Sequence, residues 1–273
     1  MFEKLLNFLQ KKNINLLGAV PLSACRVIRP YLLERANIQN GTVFVMAVPY
    51  FTTACEDTER CISAYAVPRD YHLFFEELYK ELLPYLAECF PANRFAAFAD
   101  HSPISELHAA ACAGLGVIGK NGLLLTERYG SYVFLGEIIT NAALTSYARE
   151  ISHCIDCKKC VNTCPVNLKI EGCLSAITQK KGELSKNEIT AIQKNHCAWG
   201  CDTCQEVCPY TVSAIKNGTI FTNIDFFKND LDPVISTALI NSMSDEMFSQ
   251  KAYSWRGKNV ILRNLKILED KES

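Results

Sequence analysis

Nine of the fourteen cysteines lie between Cys154 and Cys208, and such clustering in a chain of 273 residues points to metal chemistry. The first run, Cys154-x2-Cys157-x2-Cys160-x3-Cys164-Pro165, has the spacing with which bacterial proteins ligate [4Fe–4S] clusters. Thiolates two residues apart wrap three irons of one cubane in a tight loop, and the fourth, set off by three residues and a proline, reaches a neighbouring cluster. A structural zinc needs only four ligands, commonly two distant Cys-x2-Cys pairs, and explains this density poorly.

The second run, Cys201-x2-Cys204-x3-Cys208-Pro209, is one cysteine short because position 198 is Ala. Its missing ligand is Cys173 or Cys197. Two cubanes take eight thiolates, so one of the nine is spare; proximity favours Cys197, although Cys197-x3-Cys201 is not the customary interval. Interleaved ligation holds two cubanes within ~10–15 Å, the reach of a short loop, which suits an electron wire better than a fold staple. The scattered Cys25, Cys55, Cys61, Cys89 and Cys112 read as small buried hydrophobes.

Three other constellations could carry chemistry. Gly114-Leu-Gly116-Val-Ile-Gly119-Lys120 matches GxGxxG and most of GxxxxGK, but a helix rather than a strand precedes it and Asn121 stands where a phosphate loop needs Ser or Thr. It reads as a glycine-permitted turn whose backbone could line another cofactor's pocket. Asp100-His101-Ser102-Pro103 with Glu106 gathers ionisable groups ahead of a helix that Asp100 or Ser102 could cap. Arg69-Asp70-Tyr71-His72 is a helix start with Asp70 as its cap.

Periodicity supplies the elements that must hold these residues. Phe2, Leu5, Leu6 and Leu9 mark an amphipathic helix, and Thr42 to Val48 a strand closed by Pro49. Phe74, Leu78 and Leu82 predict a surface helix from Asp70 to Leu83 that ends at Pro84. Glu106 to Ala113 is helical and breaks at Gly114, and Ser131 to Ile139 is strand-like around Gly136. Residues 1–150 therefore form an α+β domain, 151–215 a loop-rich cysteine domain, and 216–273 a helical segment of ordinary periodicity without turn-rich breaks.

Composition sets outer limits. Hydrophobic residues make up 49% and charged residues 21%, with a formal net charge of −1, so neither disorder nor a strongly basic nucleic-acid domain is indicated. No stretch reaches the ~18 uncharged apolar residues of a membrane span, and the opening residues lack a secretory signal pattern. A cytoplasmic protein is expected, with no membrane partner.

The residues resemble one known family, the epoxyqueuosine reductases, over nearly the whole chain to about Leu268. The resemblance is carried by Arg69-Asp-Tyr-His72, Asp100-His-Ser-Pro-Ile-Ser-Glu106, Ala113-Gly-Leu-Gly-Val-Ile-Gly-Lys-Asn121, Arg128-Tyr-Gly-Ser-Tyr-Val-Phe-Leu-Gly-Glu-Ile138 and Gly200-Cys-Asp-Thr-Cys-Gln-Glu-Val-Cys-Pro209. It implies an N-terminal α/β corrinoid-binding domain followed by a ferredoxin-like double [4Fe–4S] domain. The segment Cys173-Leu-Ser-Ala-Ile-Thr resembles the one that supplies a lone cluster ligand. One cluster would then take Cys154, Cys157, Cys160 and Cys208, the other Cys164, Cys173, Cys201 and Cys204, leaving Cys197 spare.

The same resemblance implies cobalamin as cofactor, Asp100 as proton donor, and Arg29, His72, Lys120, Asn121 and Ser175 as corrinoid contacts. Donation by Asp100 near neutrality requires its pKa to rise above ~3.9, through burial beside the corrin. The implied reaction is reduction of epoxyqueuosine to queuosine in tRNA, with electrons from an external low-potential donor such as a flavodoxin or ferredoxin. Many family members continue into a helical-repeat domain that helps grip tRNA, whereas this sequence stops at Ser273, which also admits a smaller substrate. Near that end, Lys251 to Ile267 carries five basic and no acidic residues with Tyr253 and Trp255 interleaved, suited to phosphates or to the solvated face of an amphipathic helix. Dehalogenase-like corrinoid reduction and non-catalytic electron carriage are the alternatives; a carrier would not need Asp100 or the N-terminal domain.

Overall fold

The computed structural model describes residues 1–166, 168–169 and 172–270. Helix α1 (Phe2–Gln10) buries Leu5 and Leu9, as its spacing predicts, and leads into strand β1 (Leu16–Pro21). Helix α2 (Pro30–Ala36) starts on a proline, which loses nothing at a first-turn position, and closes on Asn37 in the left-handed region. Strand β2 (Thr42–Pro49) has all eight residues buried, the pattern of a strand covered on both faces.

Helix α3 (Tyr71–Cys89) runs beyond the predicted stop and keeps Pro84 in its interior. An interior proline costs a helix roughly 3 kcal/mol, but Leu86, two residues on, is fully buried and Tyr85 stacks on Phe8 at 5.1 Å. Burial on the continuing apolar face outweighs the lost hydrogen bond. Strand β3 (Phe95–Phe98), helix α4 (Glu106–Cys112), the short strands β4 (Val117–Ile118) and β5 (Leu124–Leu125), and strand β6 (Val133–Thr140) follow.

The sheet is antiparallel throughout, ordered β1-β2-β6-β3, with Val45 opposite Glu137 and Glu137 opposite Phe98. Alternation sends Phe44, Met46, Val48 and Ile138 to the face covered by α3, and Val43, Val45 and Ile139 to the face covered by α4. Helix α3 lies directly on the sheet at Gly136, where a Cβ would overlap the Phe75 ring and the Tyr79 hydroxyl. Strands β4 and β5 form a hairpin around Gly119 and Lys120, so the glycine-rich segment turns strand to strand and opens no helix.

The cysteine region consists of short helices: α5 (Lys159–Thr163), α6 (Leu174–Thr178), α7 (Lys186–Lys194), α8 (Thr203–Glu206) and α9 (Pro209–Lys216). Helix α7 opens on a full capping box made by Ser185 and Glu188. The C-terminal stretch departs from the expectation of unbroken helical periodicity. It is built of short pieces, α10 (Thr237–Ser242) and α11 (Asp245–Ser249), before α12 (Lys258–Glu269), because Ser236 and Ser244 each cap a new start. The last three residues of the 216–273 segment lie outside the described residues.

One buried cluster joins all three stretches, with Leu5, Phe75, Trp199, Phe227, Tyr253 and Leu265 among its members. Helix α12 is amphipathic and buries Val260, Ile261, Leu265 and Leu268. Its Asn264 donates to the carbonyls of Thr178 (2.7 Å) and Ala198 (2.8 Å), pinning both sides of the cysteine region. Three of the five basic residues near the chain end are engaged internally. Lys251 pairs with Asp232 at 2.6 Å, Lys258 donates to Met243 O, and Arg263 donates to Lys180 O. Among the described residues no helix is long and apolar enough to cross a membrane.

Candidate redox and proton-transfer site

Two cavities divide eight of the nine clustered cysteines. The smaller is lined by Cys154, Cys157, Cys160 and Cys208, drawn from the first loop, α5 and the start of α9. The larger, of about 990 Å³, is lined by Cys164, Cys173, Cys201 and Cys204. Each set of four thiols surrounds a space. Among the described residues no three Cys, His, Asp or Glu side chains converge on a single-ion site. Four thiol donors around a space are the donor set of an iron–sulfur cluster.

Cys197 lines neither cavity. It is buried, its thiol donates to Gly200 O at 2.7 Å, and burial pushes its pKa well above the ordinary thiol value. Gly200 holds φ +70°, where a Cβ would overlap Ser63, so the turn into the second run needs a glycine where it packs on the N-terminal layer. Asp202, between Cys201 and Cys204, fastens that run. It accepts from Arg60 at 2.7 Å and from the Ala64 backbone N–H at 2.6 Å, with its side chain 2% exposed.

Lys120, Asn121 and Ser175 line the larger cavity with the second thiol set. The Asn121 amide nitrogen is buried without a partner of good geometry and lies beside the Cys204 thiol, whose pKa burial pushes up to about 12 while Asn121 opposes the rise. Lys120 bridges to Asp156 at 2.7 Å on the rim of both cavities. Ser175 Oγ accepts from Gln179 at 3.1 Å. Arg256 also lines the larger cavity, with its guanidinium 3.7 Å above the Trp255 ring. Its local sequence carried no signal that set it apart from the other basic residues around it.

Arg29, His72 and Asp100 form a separate group. Asp70 caps α3 by accepting the His72 backbone N–H, and the same oxygen meets His72 Nδ1 at 2.8 Å. On the other edge of the ring, Nε2 lies 3.6 Å from Asp100. The carboxyl groups of Asp100 and Asp70 raise the His72 pKa from 6.5 to about 9. Arg29 donates to Ser102 O at 2.9 Å and acts on Asp100 from the side.

The rise expected for Asp100 is reversed. Its side chain is 68% exposed, and the neighbouring His72 holds its carboxyl below the usual value. The proton of this pair therefore sits on the imidazole. Neither Asp100 nor Ser102 caps α4, whose N-cap is Ser105. Asp100 instead occupies the left-handed region at φ +63°, its backbone N–H donating to Glu106 Oε1 at 2.9 Å. Sequence reasoning passed over Glu137, whose signal was a carboxylate in the middle of an apolar strand.

A 4Fe-4S dicluster domain matches residues 153–212. The epoxyqueuosine reductase of Gloeobacter violaceus is 33% identical over 218 residues, covering 77% of this chain and 68% of that protein. That of Lactococcus garvieae is 33% identical over 205 residues, covering 72% of this chain, which spans only 57% of the relative's length. The solved Streptococcus thermophilus epoxyqueuosine reductase superposes with a TM-score of 0.79 at 25% identity, over 98% of this chain and 80% of that one. The α+β fold, the paired thiol sets and these similarities converge: this chain belongs to the epoxyqueuosine reductase family.

Proposed function

We propose that the chain is a cobalamin-dependent oxidoreductase that reduces epoxyqueuosine to queuosine in tRNA. The observation that carries this reading is the division of eight thiols into two cavities, one of which continues past its thiols into a space walled by Lys120, Asn121 and Ser175. A cavity of about 990 Å³ is at the upper end of small-molecule sites and exceeds what one cubane fills. Cys154, Cys157, Cys160 and Cys208 would hold one [4Fe–4S] cluster, and Cys164, Cys173, Cys201 and Cys204 the other. The larger cavity fits the corrinoid beside the second cluster, with the unpartnered Asn121 amide available at its wall.

Turning an epoxide into an alkene with loss of water takes two electrons and two protons. Cobalamin, when bound, supplies the strongly reducing centre for the electrons, which an external low-potential donor such as a flavodoxin or ferredoxin delivers through the clusters. The chain's own task is to place one of the two protons at the leaving oxygen, and the other comes from solvent. His72 stores one proton between two carboxylates, and Asp100, whose side chain is exposed, is the group that would pass it to the leaving oxygen. Arg29 keeps the Asp100 loop closed by holding Ser102 O.

Two solved family structures of this fold support the assignment, each 23% identical to this chain. One holds an epoxyqueuosine-modified tRNA-Tyr stem loop, and the other, from Bacillus subtilis, has its aspartate catalytic loop swung out of the active site. The test is conversion of epoxyqueuosine-containing tRNA by anaerobically reconstituted protein with cobalamin and reductant, followed by nucleoside mass spectrometry. Queuosine should appear only when cobalamin is present. Its absence with both clusters and cobalamin bound would refute the tRNA reading, and failure to bind cobalamin would favour an electron carrier.

A further inference from the structure

Glu137 occupies the centre of strand β6, flanked by Val45 and Phe98 on the neighbouring strands, and it is fully buried. No hydrogen bond of good geometry reaches either of its oxygens. The polar side chains beside it are Ser102 and Glu106. Burial first, then Glu106, push its pKa well above the ordinary carboxylate value, which favours the protonated form. A neutral carboxyl can donate, and Glu106 is the acceptor beside it.

Glu106 is therefore placed between a buried donor and the Asp100 loop. Its Oε1 accepts the Asp100 backbone N–H at 2.9 Å. That bond holds a non-glycine residue at φ +63°, an uncommon conformation for L-residues that Asp tolerates better than most. The other groups facing the pair are Tyr71 and Tyr79 from α3, the latter donating its hydroxyl to Phe98 O, and the Cys25 thiol, whose pKa burial raises. Arg29 is the cation acting on Glu106 and Asp100.

We propose that Glu106 is a positioning residue that fastens the Asp100 backbone in its left-handed turn, and that Glu137 is the buried carboxyl that backs Glu106. The pair is a latch on the acid's loop. It rests on the reading of Asp100 as the acid, and it adds a dependence on pH. The contact is secure while Glu137 is protonated and weakens as pH rises through its raised pKa, where two buried carboxylates would repel.

The experiment compares wild type, Glu106→Ala, Glu106→Gln and Glu137→Gln as cluster- and cobalamin-loaded proteins, reading amide hydrogen exchange over residues 96–105 and turnover of epoxyqueuosine-containing tRNA. Glu106→Ala should raise exchange at the Asp100 segment about tenfold, the loss of one hydrogen bond. It should lower kcat on the order of a hundredfold through misplacement of the acid while leaving KM nearly unchanged. Glu106→Gln, whose amide oxygen still accepts the N–H, should restore most of both. Glu137→Gln should keep the segment protected as pH rises to the point where wild type loses protection. Wild-type exchange in Glu106→Ala would overturn the latch, as would faster exchange spread across the whole sheet without rescue by Gln. If Asp100→Asn kept full turnover, the acid reading would fall, while the exchange data would still decide whether the latch exists.

Discussion

His72 lies between two carboxylates, and this governs how the proton-transfer site should respond to pH. Its pKa is raised from 6.5 to about 9 by Asp100 and Asp70, so the stabilisation from its charge is complete below about 6.5 and is lost as pH rises through about 9. The thermal midpoint of His72→Gln should therefore fall furthest below wild type under acidic conditions and converge with it above pH 9; a gap independent of pH would contradict the ion pairing. Asp100, held low by His72, adds stability only above its depressed pKa and loses it as pH falls through that value. For turnover, Asp100→Asn removes the acid, and kcat should fall by roughly a hundredfold or more. Nucleoside mass spectrometry on cofactor-loaded protein reads that loss, and full activity would remove Asp100 from the mechanism.

At the scale of elements, the cysteine run and the sheet were legible in the sequence to different depths. Thiol spacing is local, so Cys154, Cys157 and Cys160 could be grouped from a short loop alone, whereas Cys208 joins them, and Cys164 and Cys173 join Cys201 and Cys204, from separate stretches of the chain. The choice between Cys173 and Cys197 was open from spacing; in the fold Cys173 lines the larger cavity and the Cys197 thiol bonds to its own turn, which supports Cys173 as the proposed ligand. Pro84 misled because helix rules weigh the backbone, and the burial of Leu86 was not visible locally. His72 and Asp100 are distant in sequence and meet only because α3 and the loop after β3 flank the same sheet edge. The run that bears Cys201 and Cys204 is anchored by Asp202 on Arg60, whose side chain is 11% exposed. Breaking such a buried pair costs about 3 kcal/mol, so Asp202→Ala should lower the Tm of the loaded protein and release iron from the second cluster faster. Unchanged iron retention would show that the anchor is dispensable.

Across the whole molecule, the proposed proton-transfer group is carried by the sheet layers and the thiol sets by the cysteine region, and one continuous core joins them. The chain end braces that junction through Asn264, so Asn264→Ala should destabilise the loaded protein by about 2 kcal/mol through two carbonyls left unpaired, read as a Tm shift. The central claim is that eight specific thiols hold two cubanes and that the ninth does not. Iron and acid-labile sulfide counts, with EPR of the reduced protein, test it in wild type, Cys173→Ala and Cys197→Ala. Wild type and Cys197→Ala should each carry about eight irons and two interacting clusters, and Cys173→Ala should lose one cluster. A Cys197→Ala protein short of a cluster, beside a fully loaded Cys173→Ala protein, would contradict the account.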